Sequence, residues 1–173
     1  MRVLKQIALF VPLVALGAVL IGLPTIAFGR DDGQNFRTTL IGLNETPSIN
    51  TEGTAQLRLT INADSIAFTL TYQHLSAAPV VAHVHFGQAR TAGAPMFFFC
   101  GRAGGTACPS TTSGMISGTI TAADVVGPAG QGIKAGDLAS VMRAIRAGAA
   151  YANMHTANFG NGEIRGQIAR ADD

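Results

Sequence analysis

Three of the four histidines in this chain fall in two short segments about 70 residues apart, and they are the side chains best suited to chemistry. The first segment is Ala82-His83-Val84-His85-Phe86-Gly87. The second is Tyr151-Ala152-Asn153-Met154-His155-Thr156, which runs on into Gly162-Glu163-Ile164-Arg165-Gly166-Gln167-Ile168. On an extended strand, residues two apart point to the same side, with their Cα atoms roughly 6.6 Å apart. His83 and His85 are therefore expected side by side, with Ala82, Val84 and Phe86 on the opposite face. Two imidazoles so placed can converge on one metal ion, and a usual site adds a third or fourth ligand. His155 is the candidate, which makes His83, His85 and His155 the expected ligand set for copper or zinc, provided that the two strands are neighbours. In an oxidising compartment copper would be at hand as Cu(II). The competing reading needs no metal: the imidazoles would hydrogen-bond backbone or a carboxylate such as Glu163.

Glu163 and Arg165 are expected on one face, two residues apart, after the turn Asn158 to Gly162. They suit a cross-strand ion pair or hydrogen-bond network that fixes the last strand. Alternatively, Glu163 orients a histidine from behind. His74 is expected on the face of Tyr72 in a structural role, and Met154 should point away from His155 into the core. No Gly-x-Ser-x-Gly elbow, phosphate-binding loop, His-Glu-x-x-His helix or plausible cysteine nucleophile is present.

The elements that must hold these residues are mostly strands. Gln56 to Ile61 and Ser65 to Tyr72 alternate polar and apolar around Asn62-Ala63-Asp64, which predicts a hairpin. Further strands are expected at Phe36 to Leu43, Val80 to Phe86, Pro95 to Phe99, Gly114 to Ile120, Ala149 to His155 and Glu163 to Arg170. Thr121-Ala122-Ala123-Asp124 resembles a capping box, and Asp137 to Ala147 has an apolar stripe that Asp137 can cap and Gly148 can end. The expected fold is all-β, an antiparallel β-sandwich or Greek-key barrel with one or two short helices. Three consecutive aromatics, Phe97 to Phe99, cannot all enter one core, so an exposed apolar patch is expected around Met96 to Phe99.

Arg2 and Lys5 precede an uncharged apolar run to Gly29, so residues 1–29 read as a signal peptide, with cleavage after Ala27, or as an N-terminal membrane anchor. Both place the remainder outside the cytoplasm, periplasmic or secreted in the first case and anchored facing outward in the second. Residues 30–35 read as a linker and 36–170 as the domain. Without Met1 to Ala27 the chain keeps ten basic and ten acidic residues, which gives no electrostatic footprint for nucleic acid or lipid headgroups. Contact with a membrane would come only through an uncleaved N-terminal segment. Two cysteines, Cys100 and Cys108, at short spacing in an exported chain favour a disulfide.

The order of segments resembles the CHRD domain, a family named after chordin and common in short exported bacterial proteins. Leu40-Ile41-Gly42-Leu43-Asn44-Glu45-Thr46-Pro47 is similar to its opening segment, Ala82-His83-Val84-His85 to its Ala-His-Ile-His, Gly148 to Thr156 to its Tyr-x-Asn-x-His-Thr segment, and Gly162 to Ile168 to its closing segment. The resemblance implies an extracytoplasmic, β-rich domain without a known enzymatic activity. It leaves open an unidentified extracellular or periplasmic protein or glycan as partner. His83-Val84-His85-Phe86-Gly87 also resembles, more weakly, the signature of Cu/Zn superoxide dismutase, but Gln88 stands where that signature has Asp and no zinc loop follows. The expectation is a non-enzymatic domain with a histidine site.

Overall fold

Alternating burial, not helix propensity, organises this chain. The computed structural model describes residues 34–171; the expected export segment lies outside them. Strand β1 is Gln34–Ile41, so it starts inside the expected linker, and it ends in a 3-10 turn at Gly42–Asn44. Strands β2 (Thr54–Ile61) and β3 (Ile66–Gln73) form the expected hairpin, with Ile61 opposite Ile66. In it Leu57, Leu59, Ile61, Ile66, Phe68, Leu70 and Tyr72 face inward. Then come β4 (Pro79–Phe86), β5 (Ala94–Cys100), β6 (Gly114–Ile120), β7 (Ala150–Thr156), β8 (Ile164–Gln167) and β9 (Ala169–Arg170). The expected last strand is thus split at Ile168, whose amide bonds Ala150 while β9 pairs with β1.

All pairings are antiparallel, in the order β5-β4-β7-β8-β1-β2-β3-β6 with β9 beside β1. The sheet curls into a nearly closed barrel: the unpaired edges of β5 and β6 approach each other, and Phe99 of β5 packs on Phe68 of β3 at 4.6 Å between ring centroids. The helix α1 spans Leu138–Arg146. Asp137 caps it by accepting the Ser140 amide, and Gly148, at φ 66°, ends it in the left-handed conformation. Leu138, Val141, Met142 and Ile145 bury its apolar stripe. Thr121 and Asp124 form the expected capping box around the turn Ala122–Asp124.

The exposed patch expected at Met96 to Phe99 does not exist. Ala82 and His83 stand opposite Cys100 and Phe98, and Val84 and His85 opposite Phe97 and Pro95, so β5 carries an extra residue at Phe99 and another at Met96. These bulges break period two and let Met96, Phe97 and Phe99 all turn inward, leaving only Phe98 half-buried. Cys100 and Cys108 are joined by the expected disulfide. His74 departs from expectation too. It lies past the end of β3 at φ 55°, exposed, while Tyr72 is in the core.

Because Phe99 ties the two barrel edges together, Phe99→Ala should lower stability by about 3–5 kcal/mol. Val80→Ala, at a residue 51% exposed, should stay within about 0.5 kcal/mol; urea denaturation midpoints compare the two.

Candidate metal centre

The register of β4 against β7 decides where the histidines meet. Val81 pairs with His155, His83 with Asn153 and His85 with Tyr151, so these six side chains share one face, while Ala82, Val84, Ala152 and Met154 form the core face. The strands are direct neighbours, and His155 lies diagonally beside His83. Ring centroids are 4.3 Å apart for His83 and His85 and 4.8 Å for His83 and His155, both edge-on. One ring nitrogen from each of the three histidines lies within 4.8 Å of the others. Among the described residues no carboxylate or thiolate joins this group. Met154 is fully buried on the other face, as expected.

Two of the rings are fixed from behind. His85 Nδ1 lies 2.9 Å from the Gly93 carbonyl and His155 Nδ1 lies 2.9 Å from the Gly160 carbonyl. A carbonyl only accepts, so each Nδ1 carries the proton and donates it, which leaves each Nε2 with a free lone pair. This is the support that metal-bound imidazoles commonly have. His155 Nε2 is buried without a partner, and so is His83 Nδ1. Only one other buried side-chain polar atom among the described residues, Gln167 Oε1, shares that state. Burial pushes His83 down to about 3, with His85 and His155 adding to the effect. Burial also lowers His85 to about 4 against the opposing hydrogen bond to Gly93, and lowers His155 against that to Gly160. The rings are therefore neutral at neutral pH, the form that ligates.

Around them stand Arg165, expected beside Glu163, and residues such as Tyr151, Asn153 and Glu45 to which sequence reasoning gave no role at this site. The Tyr151 ring stacks on His85 at 4.6 Å and 6°, and the Arg165 guanidinium lies 3.4 Å from the centre of the same ring. Since β4 and β8 flank β7 on opposite sides, Tyr151 is held between the two. Arg165 also donates to the Gln88 and Thr91 carbonyls, and Gly93 N–H donates to Tyr151 Oη, so the loop that positions His85 is tied down by this stack. Gly93 is required there, because a Cβ would lie 1.8 Å from the Phe86 carbonyl oxygen. Phe98 packs 5.1 Å from His83. Asn153 donates to Glu45, whose carboxyl burial raises to about 7 against the nearby Arg165 charge. Strand alternation in Tyr151-x-Asn153-x-His155 already places Tyr151 and Asn153 on the histidine face; nothing local points to Glu45.

Glu163 does not orient a histidine, and it does not share a face with Arg165. It sits in the bend before β8 and is fully buried, and its carboxylate accepts from Thr156 Oγ1, Thr51 Oγ1, Ser76 Oγ and the Ser76 amide. Thr156 has the parity of Met154, so this cluster lies to the core side, away from the imidazoles. Burial alone would raise Glu163; the four hydrogen bonds outweigh it and hold the carboxyl below its usual value. Fixing the last strand, the simpler of the two roles expected for this residue, is what these bonds do.

The molecule is thus an antiparallel β-barrel domain that presents three neutral imidazoles from two adjacent strands. The CHRD domain model matches residues 36–168, and the chain belongs to that family. No curated protein and no solved structure shows a significant match.

Two measurements follow from this electrostatics. Glu163→Ala leaves four donors, one of them the fully buried Thr156 hydroxyl, without their acceptor and should cost about 1–3 kcal/mol, read as a shift in urea midpoint. The histidines are lowered from an ordinary 6.5, so the unfolded chain binds protons that the folded metal-free protein does not. Their contribution to stability is complete above 6.5 and is lost as pH falls through that value toward about 4 and 3. Glu163 acts in the same direction below its ordinary 4.5, whereas raised Glu45 contributes below 4.5 and loses that contribution as pH rises through about 7. His83→Phe should flatten the stability profile between pH 6.5 and 4; an unchanged slope there would show that His83 does not contribute to it.

Proposed function

We propose that this CHRD domain is a non-enzymatic, exported metal-binding protein whose ion, copper or zinc, is held by His83, His85 and His155. One observation carries the reading: three imidazoles from adjacent strands converge, and two buried ring nitrogens, His83 Nδ1 and His155 Nε2, have no hydrogen-bond partner. An unsatisfied buried polar atom costs about 1–3 kcal/mol, and a bound ion would give both atoms a partner. The two carbonyl-anchored rings keep their Nε2 lone pairs free for an ion, the support that metal-bound imidazoles commonly have.

Export is supported by the charged and apolar residues 1–29 and by the disulfide, which suits an oxidising compartment. Among the described residues no helix is long and apolar enough to cross a membrane. A protein or glycan partner loses its main structural argument, since the expected aromatic patch is folded into the core apart from Phe98.

Titration of the full chain with Cu(II) and Zn(II) by calorimetry, and with Cu(I) under argon, tests the proposal. Saturable binding of one ion per chain is expected, lost in the His83→Ala/His85→Ala variant. Binding that persists in that variant, or no binding of any ion, would sink the metal reading. A superoxide assay on loaded protein should give no turnover, and turnover would overturn the non-enzymatic reading.

A further inference from the structure

We infer that the His83, His85 and His155 site selects the monovalent d10 ion Cu(I) over Zn(II) and Cu(II); this inference rests on the metal reading above and refines it. The argument is one of charge. Three imidazoles bring no negative charge, and among the described residues no carboxylate or thiolate belongs to the group. The charged side chains nearby do not touch the rings. Arg165 stands behind Tyr151 and carries a positive charge toward His85. Glu45 is engaged by Asn153, and Glu163 by Thr51, Ser76 and Thr156 on the core side. No carboxylate belongs to the ligand group, so the three imidazoles themselves supply no negative charge to an incoming cation.

The desolvation cost of an ion grows with the square of its charge, so a dication loses about four times what a monocation loses on entering the same surroundings. These surroundings are dry on several sides. His83 is 6% exposed, Phe98 packs on it, and the Tyr151 ring covers His85. On three imidazoles Zn(II) recovers part of the loss by holding a water that it ionises toward hydroxide, and Cu(II) by filling a tetragonal set with further ligands. Cu(I), with a single charge to desolvate, needs neither that anion nor a further ligand.

The geometry suits that arrangement. With metal–nitrogen bonds of about 2.0 Å, three nitrogens around one ion stand about 3.5 Å apart. Here the three atoms lie within 4.8 Å. His85 and His155 are anchored by the Gly93 and Gly160 carbonyls. His83, whose buried Nδ1 has no partner, lies between the other two rings and completes the set.

The test is competitive titration of the full chain under argon. Cu(I), buffered by a chromogenic chelator with ascorbate present, and Ag(I) as a redox-inert probe are compared with Zn(II) and Cu(II). Cu(I) and Ag(I) should bind at least about a hundredfold more tightly than either dication. This binding should be absent in His83→Ala/His85→Ala. Zn(II) or Cu(II) binding as tightly as Cu(I), and depending on the same histidines, would overturn the selectivity and leave metal binding standing. No histidine-dependent binding of any ion would overturn both. A second variant tests the cause: Phe98→Glu places a carboxylate against His83 and should narrow the preference by at least about tenfold. An unchanged preference in a folded Phe98→Glu protein would refute charge as its origin.

Discussion

The pairing of β4 with β7 is the constraint on which the rest of this domain depends. Its register sets Ala82 and Val84 against Met154 and Ala152 on the inner side, and His83 and His85 against Asn153 and Tyr151 on the outer side. A slip of one residue would exchange the two sets, sending imidazoles into the hydrocarbon core and methionine to the outer face. The penalty for that exchange is large on both sides, so the pattern that builds the core also fixes the histidine cluster. Fold and site are not separable here.

Ionisable groups are divided between the two sides in the same way. Glu163 is fully buried, but four donors from three separate segments surround it, so it keeps its charge and joins the chain around Thr51 and Ser76 to the strand end at Thr156. The imidazoles have few polar partners and keep no charge. Glu45 lies between these cases: the Arg165 charge, the Thr46 amide and the Asn153 side chain do not offset its burial, which raises it to about 7. Hydrogen-bond supply, more than burial itself, decides which of these groups is ionised.

Much of this was legible in the sequence, for identifiable reasons. Period-two alternation marked β2, β3 and β6 because each has one face in the core, and the cap residues Asp137, Gly148, Thr121 and Asp124 act locally, so short windows revealed them. The face shared by His83 and His85 followed from strand geometry, but their meeting with His155 required knowing which strands are neighbours. What stayed hidden was non-local or irregular. The bulges at Met96 and Phe99 are set by packing and leave no composition signal. Glu163 was assigned to the face of Arg165 by counting two residues along an assumed strand. The chain bends before β8, and the count fails there.

The barrel's one missing ladder has a mechanical consequence. β7 is bonded along both sides, so the Tyr151, Asn153 and His155 wall is stiff. β5 has a strand partner only in β4; elsewhere it is held by single bonds, from the Val126 amide to the Met96 carbonyl and from the Ala94 amide to Gln131, and its far edge meets β6 across a seam packed by Phe68 and Phe99. Phe98, opposite His83, therefore belongs to the compliant wall, and the disulfide at Cys100 limits its travel at one end. The histidine cluster thus lies between one stiff and one yielding strand, so small movements of the sheet here fall on β5 before they reach the strand that holds His155.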